Sequence, residues 1–240
     1  HDLRTDFLVR IGVAATPDVA IPTLNWLLQS GHEISVIITQ PDRPAGRGRL
    51  LQQSVVADWA QQHKIPLLKP ESSNELIGKI EQLDLVLTIG YGVLLPESIL
   101  TLPKKGFLNL HFSLLPAYRG AAPINWAIIN GESKTGVTTF FLDKNIDTGS
   151  IIYQSELGIQ KDWTAGDLHD AMMPIGATLV VETVHAIISG QFTLQPQMSN
   201  LATHAPKLNK INCLLDFSNS PVELVNQIKG LSPFPGAYFG

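Results

Sequence analysis

The sequence predicts an α/β fold: a mostly parallel twisted sheet with helices on both faces. Three observations predict it. The first two thirds of the chain alternate short β-rich runs with stretches of helical spacing. The run Asp84–Ile89 is largely apolar, as a strand inside such a sheet is. The 240 residues are 44% hydrophobic and 16% charged, a composition that suits a globular core and sizes it as one large domain, or one domain plus a piece.

Phe7–Val13 reads as the first strand. It enters the turn Ala14–Asp18, where Thr16 fits an N-cap, Pro17 the first helical position and Asp18 the positive end of the dipole. Pro22 competes and would delay the helix to about Ala20. Ile21, Leu24, Leu27 and Leu28 give that helix its buried stripe, and Gly31 stops it. Ile34–Thr39 is the second strand, Ser54–His63 a helix, Asp84–Ile89 the third strand and Phe107–Leu110 the fourth. Thr135–Leu142 and Ile151–Ser155 have the alternation of two more. Thr164 caps a helix to about Ser189, which Pro174 should kink or split. Residues 191–212 lose periodicity and read as a linker. Cys213–Phe217 is a short strand candidate, and Ser220-Pro221 opens a last helix to about Lys229.

Composition excludes several classes. A net charge of −4 is not that of a basic nucleic-acid-binding domain, so any RNA contact needs a local patch. The single cysteine, Cys213, rules out an internal disulfide and a cysteine-based zinc site. No apolar run reaches the ~18 residues of a membrane span, and no signal peptide is visible. The expectation is a cytoplasmic protein, monomeric, with no membrane partner and no metal.

The densest polar cluster in an apolar setting is Asn109-Leu110-His111-Phe112-Ser113. Asn109 and His111 stand two apart at the carboxyl end of a strand, so both side chains point the same way. Ligands of open α/β sheets bind outside such strand ends, which makes an amide donor and an imidazole a candidate catalytic pair. The other reading is a pair of strand-end caps. Asp147, in the loop Asp143–Gly149, is a third candidate, although Asp-x-Gly is also ordinary turn chemistry and Asp143 competes for the role. The segment Thr39–Arg49 holds Arg43, Arg47 and Arg49 among prolines and glycines, and reads as an exposed basic loop suited to phosphates and stacked bases. No glycine cradle for a nucleotide cofactor is present. His169, near Asp167 and Asp170, lacks metal-ligand spacing and reads as a helix-surface residue.

Together these residues carry a resemblance. Asn109-x-His111-x-Ser113-Leu114-Leu115-Pro116, then Tyr118–Pro123, then Asp143 and Asp147-Thr148-Gly149 resemble the tetrahydrofolate-dependent formyltransferases. Gln40–Gly48 is similar to the loop that members acting on methionyl-tRNA insert toward the acceptor stem of initiator tRNA. Ala15–Asp18, Tyr91–Pro96 and Ala202–Leu208 match those members as well. The resemblance implies a Rossmann-like catalytic domain over residues 1–190, a linker over 191–212, and the beginning of an incomplete OB-type C-terminal domain over 213–240. It implies transfer of a formyl group from 10-formyltetrahydrofolate, a co-substrate, to the α-amine of methionyl-initiator tRNA, a step of translation initiation. Asn109 would then donate to the oxyanion, His111 would move protons and Asp147 would orient His111. Folate would lie against Ile89, Gly90, Tyr91, Gly92 and Leu94 and against Ser113, Leu114, Leu115 and Pro116. Arg43, Arg47 and Arg49 would meet the tRNA. The alternatives are a formyltransferase acting on an amino sugar nucleotide and a non-catalytic folate- or RNA-binding remnant. Where the family carries a small residue beside the histidine this chain has Phe112, which predicts a narrower pocket.

Overall fold

The computed structural model of the chain describes residues 9–45 and 50–240. Seven strands form one sheet: β1 (Arg10–Ala15), β2 (Glu33–Ile38), β5 (Leu67–Leu68), β6 (Leu85–Ile89), β7 (Phe107–His111), β8 (Lys134–Phe141) and β9 (Ile151–Gly158). Two short strands, β3 (Arg43–Ala45) and β4 (Leu50–Gln52), pair separately. The helices are α1 (Ile21–Gln29), α2 (Val55–Gln62), α3 (Glu97–Leu100), α4 (Pro123–Ile129), α5 (Ala165–Ser189), α6 (Lys210–Cys213) and α7 (Pro221–Gly230).

The sheet runs β5-β2-β1-β6-β7-β8-β9. Its first five strands are parallel, and β8 and β9 join antiparallel. The chain leaves β1 for β2 and β5, then returns on the other side of β1 as β6 and β7. Strand order therefore reverses between β1 and β6, where an open α/β sheet leaves a crevice at the carboxyl ends. The two-residue period sorts the core. Ile11, Val13, Leu85, Leu87, Leu108 and Leu110 pack with α1, α2 and α5 on one face. Ala14, Val36, Val86 and Phe107 meet Ile80, Leu95 and Ile99 on the other.

Phe7 and Leu8 of the expected first strand lie outside the described residues. Three local differences from expectation stand out. Thr16 caps no helix: its hydroxyl binds the Tyr91 carbonyl at 3.4 Å, a 3-10 turn fills Asp18–Ala20, and α1 begins after Ala20 with Pro22 in its first turn. Helix α5 runs through Pro174 unbroken, held at its start by a capping box between Thr164 and Asp167. Residues 213–217 are not a strand. Asn209 Oδ1 accepts from the Ile211 and Asn212 N–H groups and caps α6, which ends at Cys213, and only Leu214 bridges Tyr238.

At 25 residues, α5 is long and apolar enough to cross a membrane by length and composition, which the absence of a continuous apolar run did not predict. Here it is a core helix: Leu168, Met172, Val180 and Val184 are buried among the sheet residues. Residues 191–212 lie along the sheet domain. Gln195 bridges Ile151, His204 bridges Arg119, and the Trp126 indole donates to the Pro206 carbonyl at 2.8 Å. Helix α7, capped by Ser220, packs on α4, where Asn125 Nδ2 donates to the Gly230 carbonyl at 2.8 Å.

Candidate active site

Asn109 and His111 end β7 beside the strand-order reversal, on one face of the sheet. The neighbouring strand orients the first. Thr88 stands opposite Asn109 in register, and its hydroxyl donates to Asn109 Oδ1 at 2.6 Å. The amide Nδ2 then has no hydrogen-bond partner among the described residues. His111 is buried, and its Nε2 lies 2.8 Å from the main-chain carbonyl of Tyr118. A carbonyl only accepts, so Nε2 carries the hydrogen and neutral His111 presents a lone pair at Nδ1.

Tyr118 is shaped to present that carbonyl. Its φ of 59° is left-handed, unusual for a residue with a side chain. Its N–H donates to Thr203 Oγ1 at 2.8 Å, and its hydroxyl donates to Glu132 at 2.5 Å. Burial first, and the Glu132 contact second, push the phenol up to about 12, so it stays a neutral donor.

Asp147 completes the group. Its Oδ2 accepts the Gly120 N–H at 2.8 Å and stands 3.7 Å from His111 Nδ1. Asp143 does something else: its Oδ1 accepts from the Asn145 N–H at 2.9 Å and the Thr148 hydroxyl at 2.6 Å, closing the loop on itself. Of the two competing carboxylates, Asp147 is therefore the one brought to the imidazole. Gly120 makes the approach possible. At φ +122°, a Cβ there would sit 2.6 Å from the Ala205 carbonyl oxygen.

The remaining partners have no role that spacing assigns, although Tyr118, Arg119 and Thr203 lie in motifs that carry the family resemblance. Arg119 is 7% exposed, and its Nε and Nη2 donate to Gln197 Oε1 at 3.1 and 2.7 Å. Gln197 Nε2 in turn reaches the Asp147 and Gly149 carbonyls at 2.9 and 2.8 Å. Gln197 lies in the stretch read as a linker, and Thr88, Tyr118 and Thr203 act through groups that spacing does not reveal.

The structure corrects the reading of Phe112. Successive strand residues face opposite ways, so Phe112 leaves the side of His111 and joins Leu108 and Leu110 in the core under α5, against Gly176. It does not narrow the crevice. Among the expected folate contacts, the Ile89, Tyr91 and Leu115 side chains are buried, and Ser113 Oγ is spent on the Ala117 carbonyl at 2.6 Å. These positions therefore leave only main-chain groups for a ligand, as do Gly90 and Gly92. Leu94 stands 64% exposed and Leu114 and Pro116 are half-buried, which leaves apolar surface at the strand ends.

The basic segment is not an unstructured loop throughout. Arg43 lies exposed on β3, paired with Gln52 of β4, while Arg47 and Arg49 lie outside the described residues. Leu50 and Leu51 on the second strand of this ribbon are each 72% exposed. Among the described residues no three His, Cys, Asp or Glu side chains gather as metal ligands.

Comparison with known proteins sets this geometry in context. The family described as Formyl transferase matches residues 9–184. The methionyl-tRNA formyltransferase of Geobacter sulfurreducens is 42% identical over 234 residues, covering 96% of this chain and 74% of that protein. That of Clostridioides difficile is 43% identical over 234 residues, with 96% and 76% covered. A solved sugar 3N-formyl transferase, in the presence of dTDP and 5-N-formyl-THF, superposes with a TM-score of 0.71 at 21% identity, covering 93% of this chain and 79% of that one.

Proposed function

The chain belongs to the formyl transferase family, and from that premise we propose that it transfers a formyl group from 10-formyltetrahydrofolate to the α-amine of methionyl-initiator tRNA. The observation that carries the reading is the 42–43% identity to methionyl-tRNA formyltransferases over about three quarters of their length. The sugar-acting neighbour is half as similar in sequence and speaks to the fold alone.

The folate, when bound, supplies a formyl carbon on nitrogen, an electrophile for an amine. Asn109 donates its free Nδ2–H to the formyl oxygen and holds the negative charge that gathers there as the amine adds. Nδ1 of His111 takes the proton that the amine loses as its bond to carbon forms. Asp147, 3.7 Å away, offsets the positive charge the imidazole then carries. The same Nδ1–H passes the proton to the departing nitrogen, so His111 ends as it began. Thr88 orients the amide, and the Tyr118 carbonyl keeps the imidazole from presenting an N–H where a lone pair is needed. The apolar surface of Leu94, Leu114 and Pro116 suits one face of a fused ring, and main-chain groups of 89–92 and 113–116 suit its polar edge.

In this reading residues 1–190 carry the chemistry, and 213–240 begin the C-terminal domain that the resemblance implies. Arg43, Arg47 and Arg49 meet acceptor-stem phosphates. The test offers the purified chain 10-formyltetrahydrofolate with methionyl initiator tRNA, and separately with a dTDP-linked amino sugar. Formyl transfer to the tRNA is expected. Transfer to the sugar alone, or to neither with folate still bound, would overturn the proposal in favour of the sugar enzyme or the binding remnant.

A further inference from the structure

We propose that Gln197 is a positioning residue of this site: it holds the Asp147 loop at the distance from His111 on which proton transfer depends. The inference deepens the formyl-transfer reading and rests on it.

Gln197 lies beyond the 9–184 span of the family match, in an irregular segment. Gln195, Pro196, Met198 and Ser199 around it are exposed, while Gln197 is tucked in. An amide both accepts and donates, and here every capacity is used. Oε1 takes two bonds from Arg119, and Nε2 gives one each to the Asp147 and Gly149 carbonyls. The two segments so joined are those that hold the two sides of the imidazole. Arg119 follows Tyr118, whose carbonyl binds Nε2, and Asp147 faces Nδ1.

Two features make the join necessary. Asp147 is left-handed at φ 54°, a conformation unfavourable for a residue with a side chain that persists where neighbours impose it. Gln197 binds the carbonyl of that very residue. Arg119, nearly fully buried, makes no ion pair among the described residues, so Gln197 Oε1 is what meets its charge. Rows of hydrogen bonds between 203–205 and 116–122 brace the same turn from behind.

The substitution Gln197→Glu separates the halves of this role. It keeps the acceptor for Arg119 and loses both donations, setting a negative charge against two carbonyl oxygens. Gln197→Leu loses everything at similar size, and Met198→Ala, altering an exposed neighbour, is the control. Both Gln197 variants are expected to lower kcat about tenfold with KM for folate and tRNA little changed, a geometric effect of misplacement. Combined with Asp147→Asn, Gln197→Glu should add almost nothing, because it acts through Asp147. Ring 15N resonances of His111, assigned by their loss in His111→Asn, should move in Gln197→Glu in the direction they move in Asp147→Asn. Wild-type kcat and His111 resonances in Gln197→Glu would overturn the proposal, as would an effect that multiplies fully with Asp147→Asn. The NMR arm needs no turnover. A wild-type chain inactive with both acceptors would sink the formyl-transfer reading, while the resonances still decide whether Gln197 sets the Asp147 loop.

Discussion

Asp147→Asn is the sharpest probe of the proposed proton transfer. The change is isosteric, and the new amide oxygen can still accept the Gly120 N–H that the carboxylate accepts at 2.8 Å, so the loop should stay where it is. What is lost is charge. Unit charges 3.7 Å apart attract by about 1 kcal/mol in water and by roughly 4–5 kcal/mol at an effective permittivity of ~20. Both side chains are mostly shielded, at 7% and 14% exposure, so the working figure lies between these limits, about 2–3 kcal/mol. At about 1.4 kcal/mol per tenfold, kcat should fall by roughly 30- to 150-fold. The assay is single-turnover formyl transfer to methionyl initiator tRNA at saturating folate, repeated over a salt series. Because the pair is shielded, the loss should change little with salt. Asp143→Asn is the comparison. Its oxygen can still accept from the Asn145 N–H and the Thr148 hydroxyl, so activity should stay within about threefold of wild type. Near-normal turnover in Asp147→Asn, or an equal loss in Asp143→Asn, refutes the reasoning.

Asn109→Ala should reduce transfer by roughly 10² or more with folate affinity little changed, because the donor acts on charge that develops during reaction; equilibrium folate titration beside turnover checks both halves. Thr88→Val frees the amide to rotate and should cost about tenfold in kcat, and an unaltered kcat would show that Asn109 needs no such guide. Arg43→Ala should weaken use of tRNA and leave folate affinity alone, with the larger deficit at low salt, where phosphate contacts count most; a deficit independent of salt argues against a phosphate contact. At the opposite end of the sheet, His32 Nε2 is buried without a partner among the described residues, and burial first, then the neighbouring His185, lower its pKa below the ordinary 6.5. The unfolded chain therefore binds this proton more readily than the folded one. Stability should fall as pH drops below about 6.5 and stop falling once the folded-state histidine is also protonated. Urea midpoints across that window should slope less in His32→Leu, and identical slopes would remove His32 from the account.

How much of this was legible in the sequence depends on what kind of group does the work. Asn109 and His111 could be read because a strand puts residues two apart on one face, and the run around them is otherwise apolar. The same alternation, applied one residue further, would have sent Phe112 to the opposite face; its place in the chain beside His111 is not a place beside it in space. Asp147 and Asp143 looked alike as turn residues. Only the register of the loop against the Gly120 turn separates them. Pro44 and its neighbours read as loop, yet a two-stranded ribbon leaves one edge of each strand unpaired, where a missing N–H does no harm. Least visible were groups that act through the main chain or across distance. Tyr118 contributes a carbonyl, which every residue has, and Gln197 meets partners 50 and 78 positions away. Residues that touch the reacting atoms must have particular chemistry and so leave a mark in the sequence. Residues that only hold them in place need reach and a hydrogen-bonding pattern, which a fold can draw from almost any polar side chain. The candidate site here spans both kinds; of the second kind, Thr88 and Tyr118 lie inside the 9–184 span of the family match, while Gln197 and Thr203 lie beyond it.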